Sequence, residues 1–169
     1  MKRLAIAVSI LAIGVAGCGS KSPAGPDPST LRIFTVQLSP TNENPPITNA
    51  ENSGKGTAVI TIHTDTNTVD FAINMSGFPA NTNVILAHIH PGPVGVNGGA
   101  LIGVTGLSAT TPVLLTNGTG TYSVTGVDAK TNQNSAATNI ANILAAPQNF
   151  YFNVHTSNNP GGVMRGQLQ

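Results

Sequence analysis

Apolar and polar residues alternate with period two along much of the chain. Between Thr68 and Met75, the side chains of Val69, Phe71, Ile73 and Met75 share one face, and Asp70, Ala72 and Asn74 share the other. Successive side chains of a strand point to opposite sides, so this segment is expected to be a half-buried strand. Gly56 to His63 brings Ala58, Ile60 and Ile62 together in the same way, and Thr64-Asp65-Thr66-Asn67 supplies turn chemistry between the two segments, which predicts a hairpin. Arg32 to Leu38 sets Phe34, Val36 and Leu38 on one side. Further strands are expected at Val84 to His90, Ala100 to Val104, Gly120 to Val127, Asn149 to His155 and Val163 to Leu168. Only Ser135 to Ala146 departs from period two. There Ala136, Ile140, Ile143 and Leu144 recur at helical spacing, Asn134 or Ser135 can cap the start, and Pro147 stops the run. The pattern predicts an all-β fold, an antiparallel Greek-key sandwich or barrel, with one short helix on a connection.

Composition agrees. Gly (19) and Pro (12) are abundant for turns, charged residues are only 8%, and 40% of the 169 residues are apolar, enough for the core of one domain. The start of the chain is different in kind. Lys2 and Arg3 precede an apolar run from Leu4 to Val15 that is shorter than the roughly 20 residues needed to span a bilayer, and small residues follow it. The run reads as an export signal.

Val15-Ala16-Gly17-Cys18 then resembles the bacterial lipobox, an aliphatic residue and two small ones before a cysteine. The resemblance implies a signal over residues 1–17 and lipidation of Cys18. The alternative is ordinary signal cleavage near Ala16 or Gly17, which leaves Cys18 a lone thiol that cannot form an internal disulfide. Gly19 to Thr30, rich in Ser, Pro and Gly, is expected to be a flexible tether, so residues 18–30 link the lipid to a domain over residues 31–169. The module is expected on the extracytoplasmic side of the cell envelope, partnered by the membrane through its anchor. Gly19 is not the Asp that resembles an inner-membrane retention signal, which favours the outer membrane in a host with two. Without Lys2 and Arg3, five basic residues face six acidic ones and form no cluster, so no nucleic-acid partner is expected.

Candidate chemistry lies in the histidines. In Val84 to His90 the apolar side is Ile85, Ala87 and Ile89, so His88 and His90 share the opposite face. In Asn149 to His155, Phe150, Phe152 and Val154 point inward, and Tyr151, Asn153 and His155 point outward. A His-x-His pair on a strand sets its Cα atoms about 6.5–7 Å apart, close enough for both rings to reach one ion, and imidazole suits copper, zinc or nickel. The three rings are expected to emerge together on the solvated face, beneath the glycine-rich loop Pro91 to Gly99. Two readings fit them: a three-histidine metal site, or imidazoles that bond loop carbonyls and pin that loop. His63 is expected to be a rim residue with no metal role. No Gly-x-Ser-x-Gly elbow or paired carboxylates are present, so no catalytic residue is assigned.

From about Arg32 to Gln169 the chain resembles the chordin-type (CHRD) domain family. The matching elements are Glu43-Asn44-Pro45-Pro46, Gly54 to Ile62, Met75-Ser76-Gly77-Phe78, Ala87-His88-Ile89-His90, Tyr151 to Thr156 and Gly161 to Leu168, in that order. The resemblance implies an extracellular module with no agreed reaction, acting as a non-catalytic binding or envelope component toward an unknown protein or small ligand. A more distant likeness, to copper/zinc superoxide dismutases, implies copper held by His88, His90 and His155, with Arg165 guiding an anion; the planar donors of Arg165 suit Glu43 or a loop carbonyl equally well. No histidine lies between His90 and His155, so the bridging imidazole and the zinc ligands of that family have no counterpart, and a copper-only or vestigial three-histidine site is what the likeness implies.

Overall fold

The computed structural model describes residues 28–169. The signal segment, Cys18 and most of the tether lie outside the described residues. Nine strands follow: β1 (Leu31–Leu38), β2 (Lys55–His63), β3 (Thr68–Ser76), β4 (Thr82–Pro91), β5 (Ile102–Gly103), β6 (Val113–Leu115), β7 (Gly120–Asp128), β8 (Phe150–Thr156) and β9 (Met164–Gln167), with helix α1 (Ala136–Ala145) between β7 and β8. One sheet has the order β1-β2-β3-β7. The other has the order β5-β4-β8-β9, with β6 also paired to β4. All pairings are antiparallel. The hairpin expected between β2 and β3 forms, with Asn67 in the left-handed conformation (φ 57°) that asparagine tolerates at a tight turn. The non-sequential neighbours β3–β7 and β4–β8 are the crossovers that a Greek-key sandwich requires.

The core lies between the sheets, where the period-two pattern places it. Ala58, Ile60 and Ile62 of β2 and Val69, Phe71, Ile73 and Met75 of β3 face Ala87 and Ile89 of β4 and Phe152 and Val154 of β8. Phe71 and Phe152 stack across the gap, their ring centroids 5.6 Å apart. Helix α1 starts where expected, with Ser135 accepting from the Thr138 N–H, and adds Ile140 and Ile143 to the core.

One strand was not expected, and two expectations need correction. Strand β6 carries no alternation signal because it is three residues long, yet it pairs with Thr82–Val84. Strand β5 keeps only Ile102–Gly103 of the expected Ala100 to Val104. Ile85 is the extra residue of a β-bulge, since the β4–β8 register shifts between Val84 and Leu86. Val84 therefore enters the core cluster in place of Ile85.

The largest departure concerns the outer face of the second sheet, which was expected to be wet. Every residue of β8 is buried. Loop segments 39–47, 91–100 and 156–163 roof this face and create a second, polar interior. Gly166 allows part of that closure: a Cβ there would collide with the Gln37 carbonyl oxygen, so only glycine lets β9 lie this close to β1. Ser39 and Arg165 seal the seam with a pair of backbone hydrogen bonds.

Candidate metal centre

Strand register decides which side chains meet under the roof. His88 lies opposite Asn153, His90 opposite Tyr151 and Leu86 opposite His155 across β4–β8, while Asn153 lies opposite Arg165 across β8–β9. The outer row thus runs from His88 and His90 through His155, Asn153 and Tyr151 to Arg165. The three histidines come together. One ring nitrogen from each lies within 4.8 Å of the others, and among the described residues no Asp, Glu or Cys joins the group. His88 Nδ1 is 3.1 Å from His155 Nε2. His90 and His155 are buried and His88 is half-buried. They point away from the hydrophobic core, as expected, but into the roofed layer rather than into solvent.

The roof also sets the protons. His155 Nδ1 lies 2.9 Å from the Pro160 carbonyl oxygen and His90 Nδ1 lies 3.0 Å from that of Gly98. A carbonyl only accepts, so each Nδ1 carries the hydrogen and each Nε2 presents a lone pair. Carbonyls that accept from the far nitrogen fix the rings of metal-binding histidines in this way. His90 Nε2 is buried and has no hydrogen-bond partner. Burial lowers the pKa of all three rings. It takes His88 to about 4, helped by His155 and His90, and lowers His90 and His155 against the hydrogen bonds they donate to the carbonyls of Gly98 and Pro160 respectively. All three are therefore neutral at pH 7, the state a metal ion needs.

Arg165 sits in the same layer, only 3% exposed. Its guanidinium lies 4.7 Å from the Tyr151 ring centroid, and Tyr151 stacks on His90 at 4.9 Å. Nε donates to the Asn42 carbonyl at 2.7 Å, Nη1 donates to Asn97 Oδ1 at 2.8 Å, and Nε stands 3.7 Å from Glu43 Oε2. Burial pushes the Glu43 carboxyl up to about 7 against the pull of Arg165. The donors of Arg165 thus face two loops and hold them down on the sheet. His63 lies outside the cluster, bound to Asp70 at 2.8 Å.

Glu51 was not anticipated. It is 1% exposed and accepts from Thr156 Oγ1 (2.6 Å), Asn158 Nδ2 (3.0 Å) and Asn159 Nδ2 (2.5 Å). It therefore anchors the loop whose Pro160 carbonyl orients His155. Nothing in the spacing around Glu51 signals this, because its partners are more than one hundred residues away. The alternation in β8 turns Asn153 outward, but nothing in the sequence marks it as part of a site. Among the described residues, four of the five buried side-chain atoms without a partner belong to this layer: Glu43 Oε1, His90 Nε2, Asn153 Oδ1 and Arg165 Nη2. Each such atom, if left dry, costs about 1–3 kcal/mol.

The fold and site define a small roofed β-sandwich with a candidate metal centre in its outer layer. The CHRD domain family model matches residues 34–168, and the chain belongs to that family. No curated protein and no solved structure matches the chain.

Proposed function

We propose that this chain is a lipid-anchored, extracytoplasmic CHRD module that binds one transition-metal ion, copper above all, between His88, His90 and His155, without a catalytic reaction of its own. The observation that carries the metal reading is the convergence of three neutral imidazoles, two with tautomers set by loop carbonyls and one with a buried, unpartnered nitrogen. His88 Nδ1–H donates to His155 Nε2 at 3.1 Å. Once the His88 proton moves to Nε2, the two nitrogens stand at a spacing that suits bonds of about 2.0–2.1 Å to a shared ion, and His90 closes in from within 4.8 Å. Copper bound there would supply electron exchange between its two oxidation states. The chain's part is to fix the donors and exclude water.

The test is metal content, read on protein purified without a polyhistidine tag and titrated with copper and zinc salts. One equivalent is expected in the wild type, and His88→Ala is expected to lose it. A wild type that takes up neither metal would leave the histidines as pins for the roof. Anchoring rests on the lipobox-like Val15-Ala16-Gly17-Cys18. Among the described residues no helix is long and apolar enough to cross a membrane. Cys18→Ala is expected to move the protein from the membrane fraction to the soluble fraction, and unchanged fractionation would refute lipidation. Several acyl chains give the stable attachment that one does not.

A partner-binding role has its own support. A groove of about 620 Å³, lined by Gln37, Asn42, Glu43, Asn44, Gln167 and the exposed Val94, opens beside the roof.

A further inference from the structure

The polar layer holds one buried group that the three-histidine reading leaves unexplained. Of the unpartnered atoms there, Glu43 Oε1 and Arg165 Nη2 belong to side chains that face each other, and His90 Nε2 is a proposed ligand. Asn153 remains. It is 3% exposed, and its Oδ1 has no hydrogen-bond partner. On β8 it stands two residues from His155 on the same face, and it lies directly opposite His88 on β4, a placement that brings Cβ atoms to about 4.5–5.5 Å. Gly162, at φ +131°, closes over it from the roof; a Cβ there would come 2.5 Å from Nδ2 and 2.9 Å from Oδ1. The packing thus buries an amide beneath Gly162, on the strand face that carries the imidazoles, where a leucine of similar size would leave nothing unsatisfied.

Resting on the metal reading above, we infer that Asn153 is the fourth donor of the centre, its amide oxygen taking the coordination position that the three imidazoles leave. An amide oxygen is a neutral, hard donor. With three nitrogens it makes a four-coordinate set of the kind zinc and divalent copper accept, and it adds no charge.

The experiment compares full-length wild type, Asn153→Leu and Asn153→Asp. Zinc affinity is measured against a chromophoric chelator, divalent copper is followed by electron paramagnetic resonance, and melting temperature is recorded with and without metal. Asn153→Leu is expected to melt no lower than wild type without metal, to bind zinc about tenfold more weakly, and to shift the copper hyperfine splitting. Asn153→Asp, which keeps the oxygen and adds charge, is expected to bind zinc at least as tightly as wild type. A residue that only packs beneath Gly162 would change the melting temperature and leave affinity and spectrum alone. Unchanged affinity and spectrum in both variants overturn the assignment while the three-histidine site stands. Wild type that binds neither metal overturns both readings.

Discussion

Replacing Glu51 by Gln is expected to destabilise the domain by about 3 kcal/mol, a fall in melting temperature of about 10 °C for a protein of this size. The carboxylate accepts three side-chain hydrogen bonds, from Thr156, Asn158 and Asn159. A glutamine amide presents hydrogens where one of its oxygens stood, so at least one of those donors meets another donor. Bonds to a charged group contribute about 1.5–3 kcal/mol each, but the exposed Asn158 rehydrates when released, so the sum falls well short of three full bonds. Asn158→Ala, which removes only the rim contact, is expected to cost no more than about 1 kcal/mol. The damage should be local as well as global. The loop from Thr156 to Gly162 is held by Thr156 N–H to Asn159 O and Gly162 N–H to Asn159 O, and both bonds close around the Asn159 that Glu51 grips. Hydrogen exchange in that loop should therefore accelerate in Glu51→Gln before the rest of the fold opens. A thermal unfolding curve within a degree or two of wild type would show that the buried carboxylate anchors nothing.

This dependence on Glu51 marks where sequence reading stops. Alternation along β2, β3, β4 and β8 was enough to place the core and to turn His88, His90 and His155 to a common face, because strand geometry alone dictates which side chains are neighbours. That face could not be known to be buried. The alternation in β8 distinguishes two sides of a strand, but only the tertiary path of residues 39–47, 91–100 and 156–163 decides that both sides are dry. The bulge at Ile85 escaped for a related reason. One extra residue in a strand is visible only against its partner's register, and Val84-Ile85-Leu86 is apolar throughout.

The site shows the same division. The spacing of His88 and His90 was legible because it is local, and the late His155 was legible because it sits in a recognisable strand. Glu51, Asn153 and the Pro160 carbonyl were not, since their roles arise from contacts made across the roof, whereas an imidazole bonded to a carbonyl of the Pro91–Gly99 loop was expected and Gly98 supplies it. Arg165 is the instructive case: the distant likeness makes it an anion guide, yet its planar donors suit Glu43 or a loop carbonyl equally well. The structure places it under two loops, bonded to Asn42 and Asn97 and stacked on Tyr151. A charge's meaning depends on what covers it.

The metal-free protein is expected to lose stability steadily between about pH 6.5 and pH 4, and the loss should come from the imidazoles. Burial holds the folded pKa of His88 near 4, below its ordinary 6.5, and lowers His90 and His155 as well. In that interval the unfolded chain binds protons that the folded chain refuses, so each added proton favours unfolding; above about 6.5 both states are neutral and no penalty exists. Glu43 acts in the opposite sense. Its folded pKa of about 7 lies above its ordinary 4.5, so the folded state gains protons as the pH falls through 7, and that stabilisation is fully present below 4.5. The shifts of His88 and Glu43 are similar in size and opposite in sign, and His88 is partly solvated, which weakens its side of the balance. The two more deeply buried histidines tip the sum toward acid destabilisation. Glu43→Gln removes the offset, so its stability should fall more steeply with acid than that of wild type. Urea midpoints at pH 7.5, 6.5, 5.5 and 4.5, measured with a chelator present, test both statements. A midpoint that holds level or rises as the pH drops to 4.5 would mean that the three rings accept protons in place, and the roofed layer would then have to be far wetter than its packing allows.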